Sequence, residues 1–280
     1  MKYVTFYDGD RKRPGFIDGD CVAVIACESL VEYIALPPHA REQHHTIERL
    51  PLADVRLAAP VRPHKNVFCV GRNYLEHAKE GARALGRELK LPEVPTFFSK
   101  APTAIADPGA NLHFDATLST QYDWEAELAV VIGKRVKNAT ESNALDAVFG
   151  YTCLNDITAR DLQRAHLQWL KGKSLDDSCP IGPWIVDKEE TGDPQRLQIS
   201  LRVNGVKKQE ANTGQMIFRI SRLIAELSRG LTLEPGDVIA TGTPDGVGFA
   251  RTPPEFFKHG DVVEISIQKI GTLRNSVFIS

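Results

Sequence analysis

The amino-acid sequence predicts an α+β protein that is mostly β, and three observations lead to this class. Short runs rich in valine and isoleucine, which are typical of strands, recur along most of the chain. Segments with the apolar spacing of a helix are few. The two kinds of segment do not alternate as the β-α-β units of a parallel sheet do, so we expect sheets wrapped around a pocket.

The first 62 residues are predicted to form a small β-rich N-terminal domain. Turn signals at 8–10 and 18–20, each of the form Asp-Gly-Asp, separate three short apolar runs as in a meander. Pro60 and Pro63 flank the expected boundary. The remaining residues, 63–280, are long enough for one larger domain with its own core.

In the larger domain the elements are read in chain order. A strand is expected at 67–70, followed by a polar helix at 74–85 and a loop-rich stretch at 91–121. The Asn204-Gly205 pair predicts a tight hairpin between strands at 197–203 and 206–209. Apolar residues at helical spacing between Ile217 and Leu227 predict a helix that stops at Gly230.

Composition and charge exclude several classes of function. The formal net charge is −2 and no long basic run occurs, so nothing favours nucleic acid or an anionic membrane. The N-terminal segment lacks the apolar stretch of a signal peptide, and no apolar run approaches the length of a membrane span. The five cysteines are widely spaced, which predicts reduced thiols in a cytoplasmic protein.

Glu125 and Glu127 are the most informative pair in the sequence. They lie in a segment, 122–133, that is predicted to be a strand, and alternate strand residues point to the same face. Two buried carboxylates side by side repel each other unless a cation lies between them. Oxygen ligands of this kind suit a hard divalent ion such as Mg²⁺ or Mn²⁺.

The alternative for this pair is a solvated strand face that carries two acids. The same face also carries Ala129 and Val131, and the opposite face is apolar throughout. A strand that is apolar on both faces is usually buried on both, which weakens the alternative without removing it.

Asp156 is the best candidate for a third metal ligand, because it ends an apolar run and precedes a predicted helix. The competing interpretation is that Asp156 caps that helix, a common role for aspartate at such a place. The sequence does not decide between these two interpretations.

Three further features could carry chemistry. His77 and Glu80 lie three residues apart on one helical face, where a carboxylate can orient an imidazole as a general base; a surface ion pair is the alternative. Lys173 could stabilise an enolate, although most lysines lie in solvent. The glycine-rich loop 241–248, which contains Thr243, could bind an anion or be an ordinary long turn.

Taken together, these segments resemble the fumarylacetoacetate hydrolase family from about residue 63 to residue 280. Six features appear in family order: Gly71-Arg72-Asn73-Tyr74 with His77 and Glu80; Glu125, Glu127 and Asp156; the segment 158–163; Gly172-Lys173-Ser174; the hairpin at 203–209 with 213–218; and the loop 241–248. Residues 1–62 resemble the extra domain of bacterial members.

The resemblance implies a catalytic domain with a mixed β-sandwich or barrel-like fold, usually in a homodimer, and a bound Mg²⁺ or Mn²⁺. It also implies roles for individual residues, which are metal ligands (Glu125, Glu127, Asp156), catalytic residues (His77, Glu80, Lys173) and substrate-binding residues (Arg72, Tyr74, Arg160, Gln163, Thr243). The implied substrates are 2-keto acids and β-diketo acids, including intermediates of aromatic catabolism.

The sequence therefore favours a metal-dependent hydrolase that cleaves a carbon–carbon bond in a 2,4-diketo acid such as an acylpyruvate or fumarylpyruvate. His77 and Glu80 would activate the attacking water. The alternatives are decarboxylation or keto–enol isomerisation of oxaloacetate, and hydrolysis of a sugar-derived diketo acid. A metal-binding scaffold without activity is a further alternative, but it gives no reason for His77, Glu80 and Lys173.

Overall fold

The structure, a computed structural model, describes residues 1–43 and 46–280. The described part of the chain consists of a large mixed sheet, a five-stranded sheet, a two-stranded sheet and short helices, so the predicted mostly-β α+β class is confirmed. No helix in these two ranges is long and apolar enough to cross a membrane.

The strands are β1 (Lys2–Asp8), β2 (Arg11–Asp18), β3 (Cys21–Ile25), β4 (Thr46–Pro51), β5 (Arg56–Ala58), β6 (Val67–Gly71), β7 (Thr96–Lys100), β8 (Ile105–Ala106), β9 (Asn111–Phe114), β10 (Tyr122–Asp123), β11 (Ala126–Ile132), β12 (Val148–Asn155), β13 (Thr158–Ala159), β14 (Cys179–Asp187), β15 (Gln198–Val203), β16 (Val206–Asn212), β17 (Val238–Ala240), β18 (Val262–Ile267) and β19 (Gly271–Ile279). The α-helices are α1 (Leu30–Ala35), α2 (Pro38–Glu42), α3 (Leu75–Ala84), α4 (Arg160–Ala165), α5 (Leu170–Lys173), α6 (Lys188–Thr191) and α7 (Ile220–Ser228).

The large sheet has the strand order β4-β3-β2-β1-β14-β12-β11-β17-β6-β7, with β5 paired to β1 and β8 to β14. The N-terminal meander joins this sheet through the antiparallel pair β1–β14, in which Tyr3 lies opposite Ile185. The predicted N-terminal unit is therefore β-rich, and its sheet is continuous with that of the larger unit.

The second sheet, β16-β15-β18-β19-β9, contains the predicted hairpin. Asn204 and Gly205 both have positive φ, at 51° and 75°, which is the backbone a two-residue turn of this kind requires. Ile199 and Leu201 of β15 pack in the same apolar cluster as Leu128 and Val130 of β11, so the main core lies between the two sheets.

The predicted strand at 122–133 is divided in the structure, because β10 ends at Asp123 and β11 begins at Ala126, so Glu125 lies just before β11. Strand β11 is buried along its whole length, as predicted from its two apolar faces. Leu128 and Val130 face the main core, whereas Ala129 and Val131 belong to a second apolar cluster shared with the N-terminal unit. The carboxylates of Glu125 and Glu127 therefore lie in the protein interior and not on a solvated strand face.

Asp107 is a polar link between the N-terminal and larger units. Its carboxylate accepts hydrogen bonds from the Tyr7 hydroxyl at 2.7 Å and from the Ala59 backbone N–H at 2.8 Å. Arg62 and Lys12 lie 3.4 Å and 3.8 Å from the same carboxylate. All four partners come from residues 1–62, so one largely buried side chain satisfies several groups of the N-terminal unit.

We expect Asp107→Ala to lower the free energy of unfolding by about 2 kcal/mol, because it leaves the partly buried Tyr7 hydroxyl and the buried Ala59 N–H without their acceptor. Urea unfolding at neutral pH measures the change. Asp54→Ala, which removes an exposed acid of the same unit, is the control and should alter stability by less than about 0.5 kcal/mol. Equal stability of the two variants would contradict this role for Asp107.

Candidate active site

Four strand ends meet at one edge of the large sheet and form the candidate site. Strand β11 begins there, and its antiparallel neighbours β12 and β17 end there. Strand β6, which is parallel to β17, ends at the same edge. The residues just outside these ends come from four distant parts of the sequence but are close together in space.

The structure brings Glu125, Glu127 and Asp156 together at this edge. One carboxylate oxygen of each residue lies within 4.8 Å of those of the other two, and all three side chains are buried. This is the arrangement expected from two acids at alternate positions near a strand start and a third at the end of the paired strand.

Asp156 does not cap a helix, so that alternative is wrong. Helix α4 begins at Arg160, and Ala159 is the residue that precedes it. The two carboxylate oxygens of Asp156 instead contact two buried ammonium groups, those of Lys100 at 2.8 Å and Lys173 at 2.6 Å.

Lys173 is buried rather than solvated, so the alternative for this residue is also wrong. Its Nζ donates hydrogen bonds to Glu125 Oε2 at 2.8 Å and to Asp156 Oδ2 at 2.6 Å. Burial alone would lower the pKa of Lys173, but the two carboxylates raise it above its ordinary value. Lys173 is therefore a cation at neutral pH, placed against two of the candidate metal ligands.

Glu127 shows that these cations do not fully balance the acids. It accepts a hydrogen bond from the Gly242 backbone N–H at 2.7 Å. Burial and the neighbouring Asp156 and Glu125 carboxylates together raise the pKa of Glu127 well above its ordinary value. A divalent cation between the three acids would remove this repulsion, and an all-oxygen ligand set suits Mg²⁺ or Mn²⁺. The residues present therefore fit a hard metal ion.

Lys100, at the end of β7, was not identified from the sequence. Its side chain is fully buried, contacts Asp156 and also donates to the Ile157 carbonyl at 3.1 Å. The local signal for Lys100 was weak, because a lysine that follows Phe97, Phe98 and Ser99 is indistinguishable from one at a strand end in solvent. Its role becomes visible only in the folded chain, where β7 places Lys100 against Asp156.

Arg160 is held by three neighbours beside the acids. Its Nε donates to Asp123 at 2.8 Å, one terminal nitrogen lies 2.6 Å from Glu125, and the other donates to Gln163 at 3.2 Å. The Asp123 and Glu125 carboxylates raise the pKa of Arg160 in spite of its burial. Asp123 is the second site residue that the sequence did not reveal, because a lone aspartate in the predicted strand 122–133 carries no sign of the distant cation that it contacts.

His77 and Glu80 form the predicted pair on helix α3, with His77 Nδ1 2.9 Å from Glu80 Oε1. The pair is largely buried, with side chains 11% and 15% exposed, so it is not an ordinary surface ion pair. The second oxygen of Glu80 accepts a hydrogen bond from the Gly246 backbone N–H at 2.9 Å. The glycine-rich loop therefore binds a protein carboxylate at this point.

Asn73 fixes the start of the segment that carries His77. Its side-chain amide donates to the Thr241 and Phe218 carbonyls and accepts from the Phe218 N–H, and its own carbonyl accepts from the Ile217 N–H. Arg72, immediately before Asn73, has φ = 56°, a left-handed backbone that surrounding contacts must maintain.

A cavity of about 660 Å³ opens onto these groups. Eight of the predicted site residues line it: Arg72, His77, Glu125, Glu127, Arg160, Gln163, Lys173 and Thr243. Glu80 and Asp156 do not line the cavity but contact His77 and Lys173, which do. Tyr74 is buried away from the cavity wall, and burial together with the Glu127 carboxylate raises its pKa. Tyr74 is therefore not among the residues that line the cavity, and its contact with a substrate stays a prediction.

Comparison with known proteins identifies the family of the chain. The family model described as fumarylacetoacetate (FAA) hydrolase C-terminal matches residues 66–278, and the one described as Rv2993c-like, N-terminal matches residues 1–60. The chain belongs to the fumarylacetoacetate hydrolase family. The fold that the sequence resemblance implied is therefore confirmed.

Several relatives in this family are named as enzymes. Oxaloacetate tautomerase YisK of Bacillus subtilis is 48% identical over 81% of this chain and 74% of its own length. The 2,4-didehydro-3-deoxy-L-rhamnonate hydrolase of a Sphingomonas strain is 37% identical over 99% of this chain and 96% of its own. The alignment with the solved structure of fumarylacetoacetate hydrolase from Exiguobacterium antarcticum covers 100% of both chains, with 39% identity and a TM-score of 0.85.

We expect Glu127→Gln to raise the Kd for Mn²⁺ by about 100-fold or more, because one of three charged ligands is lost. Thermal stability without metal should not fall, since the substitution removes a carboxylate that its neighbours repel. Titration followed by electron paramagnetic resonance measures the affinity, and Glu210→Gln, at an exposed acid, is the control. Unchanged Mn²⁺ affinity in Glu127→Gln would contradict the assignment of Glu127 as a metal ligand.

Proposed function

We propose that this protein is a divalent-metal-dependent enzyme that interconverts the keto and enol forms of oxaloacetate or a closely similar 2-keto diacid. One observation carries the proposal: His77, held by Glu80, lines the same cavity as the carboxylate cluster and Lys173. A base, an ammonium group and a metal-type ligand set are what proton transfer next to a ketone requires.

The roles of the residues follow from their positions. A metal ion held by Glu125, Glu127 and Asp156 would supply Lewis-acid polarisation of the 2-keto acid. Arg160, Gln163 and Thr243 would bind the substrate carboxylate. His77 would take a proton from C3 of the keto form on its ring nitrogen remote from Glu80 and deliver it to the C2 oxygen, which gives the enol.

Lys173 would stabilise the negative charge that develops on the enolate oxygen during this transfer. Its burial strengthens that interaction, because little water is present to screen the charge. Glu80 would keep His77 in one orientation and stabilise its protonated form, as carboxylates that contact histidines commonly do.

The charge at the cavity mouth favours a substrate with a second carboxylate. Arg72, Arg87, Lys90 and Arg164 all line the cavity, and within the described ranges none of them forms an ion pair with an acid. Glu88 is the acid that lines the same part of the cavity. An excess of positive charge around a concave site attracts a doubly charged anion such as oxaloacetate.

The tautomerase relatives support the same choice. YisK shares nearly half of the aligned residues, and the human oxaloacetate tautomerase FAHD2A, mitochondrial, is 44% identical over 81% of this chain. The hydrolysis favoured by the sequence thus becomes the second candidate, and the alternative that included oxaloacetate isomerisation becomes the first.

Hydrolysis of a 2,4-diketo acid remains a candidate for two reasons. The alignment to the rhamnonate hydrolase covers 99% of this chain, whereas the alignment to the tautomerase YisK covers 81%. The cavity of about 660 Å³ also exceeds what a four-carbon acid fills. In that reaction His77 would take its proton from a water molecule rather than from C3.

A substrate panel separates these reactions. The purified protein would be supplied with enol-oxaloacetate, keto-oxaloacetate and several 2,4-diketo acids, each with Mg²⁺, with Mn²⁺ and with EDTA. Faster loss of the enol absorbance with no carbon dioxide release supports tautomerisation. Release of pyruvate from a diketo acid at a higher kcat/KM would replace it with hydrolysis, and carbon dioxide release would replace it with decarboxylation.

We expect His77→Gln to lower kcat for enol-oxaloacetate by about 100-fold or more, as for the loss of a general base, with little change in KM. Stopped-flow ultraviolet absorbance measures both constants. His113→Gln, at an exposed histidine outside the cavity, is the control and should match the wild type. A His77→Gln variant with wild-type kcat would remove His77 from the reaction.

The homodimer and the cytoplasmic location implied by the resemblance and the cysteine pattern stay predictions. Light scattering of the purified protein tests the first of these.

A further inference from the structure

We propose that Asp123 is a positioning residue that holds Arg160 and the loop 246–249 in the geometry needed to bind a substrate carboxylate. Asp123 is fully buried in β10, two residues before the first acid of the carboxylate cluster. The substrate-binding role of Arg160 rests on the proposed function, whereas the effect of Asp123 on Arg160 and the loop does not.

Each oxygen of the Asp123 carboxylate accepts two hydrogen bonds. Oδ1 accepts hydrogen bonds from the backbone N–H groups of Trp124 at 2.8 Å and Gly248 at 2.6 Å. Oδ2 accepts from Arg160 Nε at 2.8 Å and from the Phe249 N–H at 3.0 Å. Because all four partners donate, an ionised carboxylate satisfies them and an amide of the same shape cannot.

The loop is built closely around this carboxylate. A Cβ atom added to Gly248 would lie 2.6 Å from Asp123 Oδ1 and 2.0 Å from the Glu255 carbonyl, so only glycine allows the approach. The next residue, Phe249, lines the cavity and places its ring 4.5 Å from the Arg160 guanidinium. Asp123 therefore fixes one edge of Arg160 and the aromatic ring packed on its face.

The contact with Asp123 determines which partner each nitrogen of the Arg160 guanidinium contacts. With Nε committed to Asp123, one terminal nitrogen reaches Glu125 and the other reaches Gln163, which also lines the cavity. Without Asp123, the guanidinium would be free to pair with Glu125 through two nitrogens, the geometry that arginine and carboxylate prefer. Arg160 would then turn towards a candidate metal ligand and away from the cavity.

The test is a double-mutant cycle on the full-length protein with oxalate as the probe, in excess Mg²⁺. We expect Asp123→Asn and Arg160→Gln each to raise the Kd for oxalate by about 10-fold or more, by isothermal titration calorimetry. If Asp123 acts through Arg160, the double variant should match Arg160→Gln alone, because coupled residues are not additive. A double variant whose Kd change is the product of the two single changes would overturn the proposal.

Asp161→Asn is the matched control. Asp161 is the neighbour of Arg160 on α4, but its carboxylate contacts Ser119 and Leu162 instead of Arg160. The oxalate Kd of this variant should stay within about 2-fold of the wild type. The Kd for Mn²⁺ should also be within about 3-fold of the wild type in Asp123→Asn, since Asp123 is not among the candidate ligands. A large loss of Mn²⁺ affinity would instead mark Asp123 as part of the metal site.

Hydrogen exchange supplies a readout that needs no ligand and no turnover. The amides of Gly248 and Phe249 should exchange faster in Asp123→Asn, while those of β15 keep wild-type protection. Unchanged protection at 248–249 would contradict the role in the loop, and faster exchange everywhere would show general destabilisation instead. If the wild type binds oxalate but turns over no 2-keto acid, the proposed function fails while this proposal is still decided by the cycle and the exchange.

Discussion

The structure depends on the burial of four carboxylates and three cations at one edge of the large sheet. Asp123, Glu125, Glu127 and Asp156 face Lys100, Arg160 and Lys173, and all seven side chains are buried. Removing one partner of a buried ion pair in this cluster, such as Asp156 or Lys173, leaves an uncompensated charge in a region of low dielectric, which costs several kcal/mol. The cluster therefore constrains every strand that contributes to it.

This constraint explains several features that otherwise look unrelated. The acids come from β10, from the start of β11 and from the end of β12, and the cations come from β7, α4 and α5. The loop after β17 supplies backbone N–H groups to Glu127, Glu80 and Asp123. Its glycines allow this approach, and Asn73 ties the same loop to the segment that begins α3. Helix α3 then places His77 on the cavity wall.

The groups held in this way serve more than one reaction. A metal-type acid cluster, a buried ammonium group and an oriented imidazole all serve chemistry next to a ketone, whether the proton comes from carbon or from water. The outer wall of the cavity carries long cationic side chains from Arg72 before α3, from Arg87 and Lys90 after α3, and from Arg164 of α4. Charge at the mouth favours a diacid, whereas the volume leaves room for a longer chain.

The sequence by itself determined the fold class, the hairpin at Asn204-Gly205, the twice-buried strand β11 and the closeness of Glu125 and Glu127. These follow from period-two patterns and turn chemistry, which act over a few neighbouring residues. Tertiary structure alone decided that Asp156 faces Lys100 and Lys173 instead of capping α4, that Tyr74 lies away from the cavity, and that Asp123 holds Arg160. Each of these contacts joins residues far apart in the chain, and no local pattern records which distant charge a buried side chain will meet.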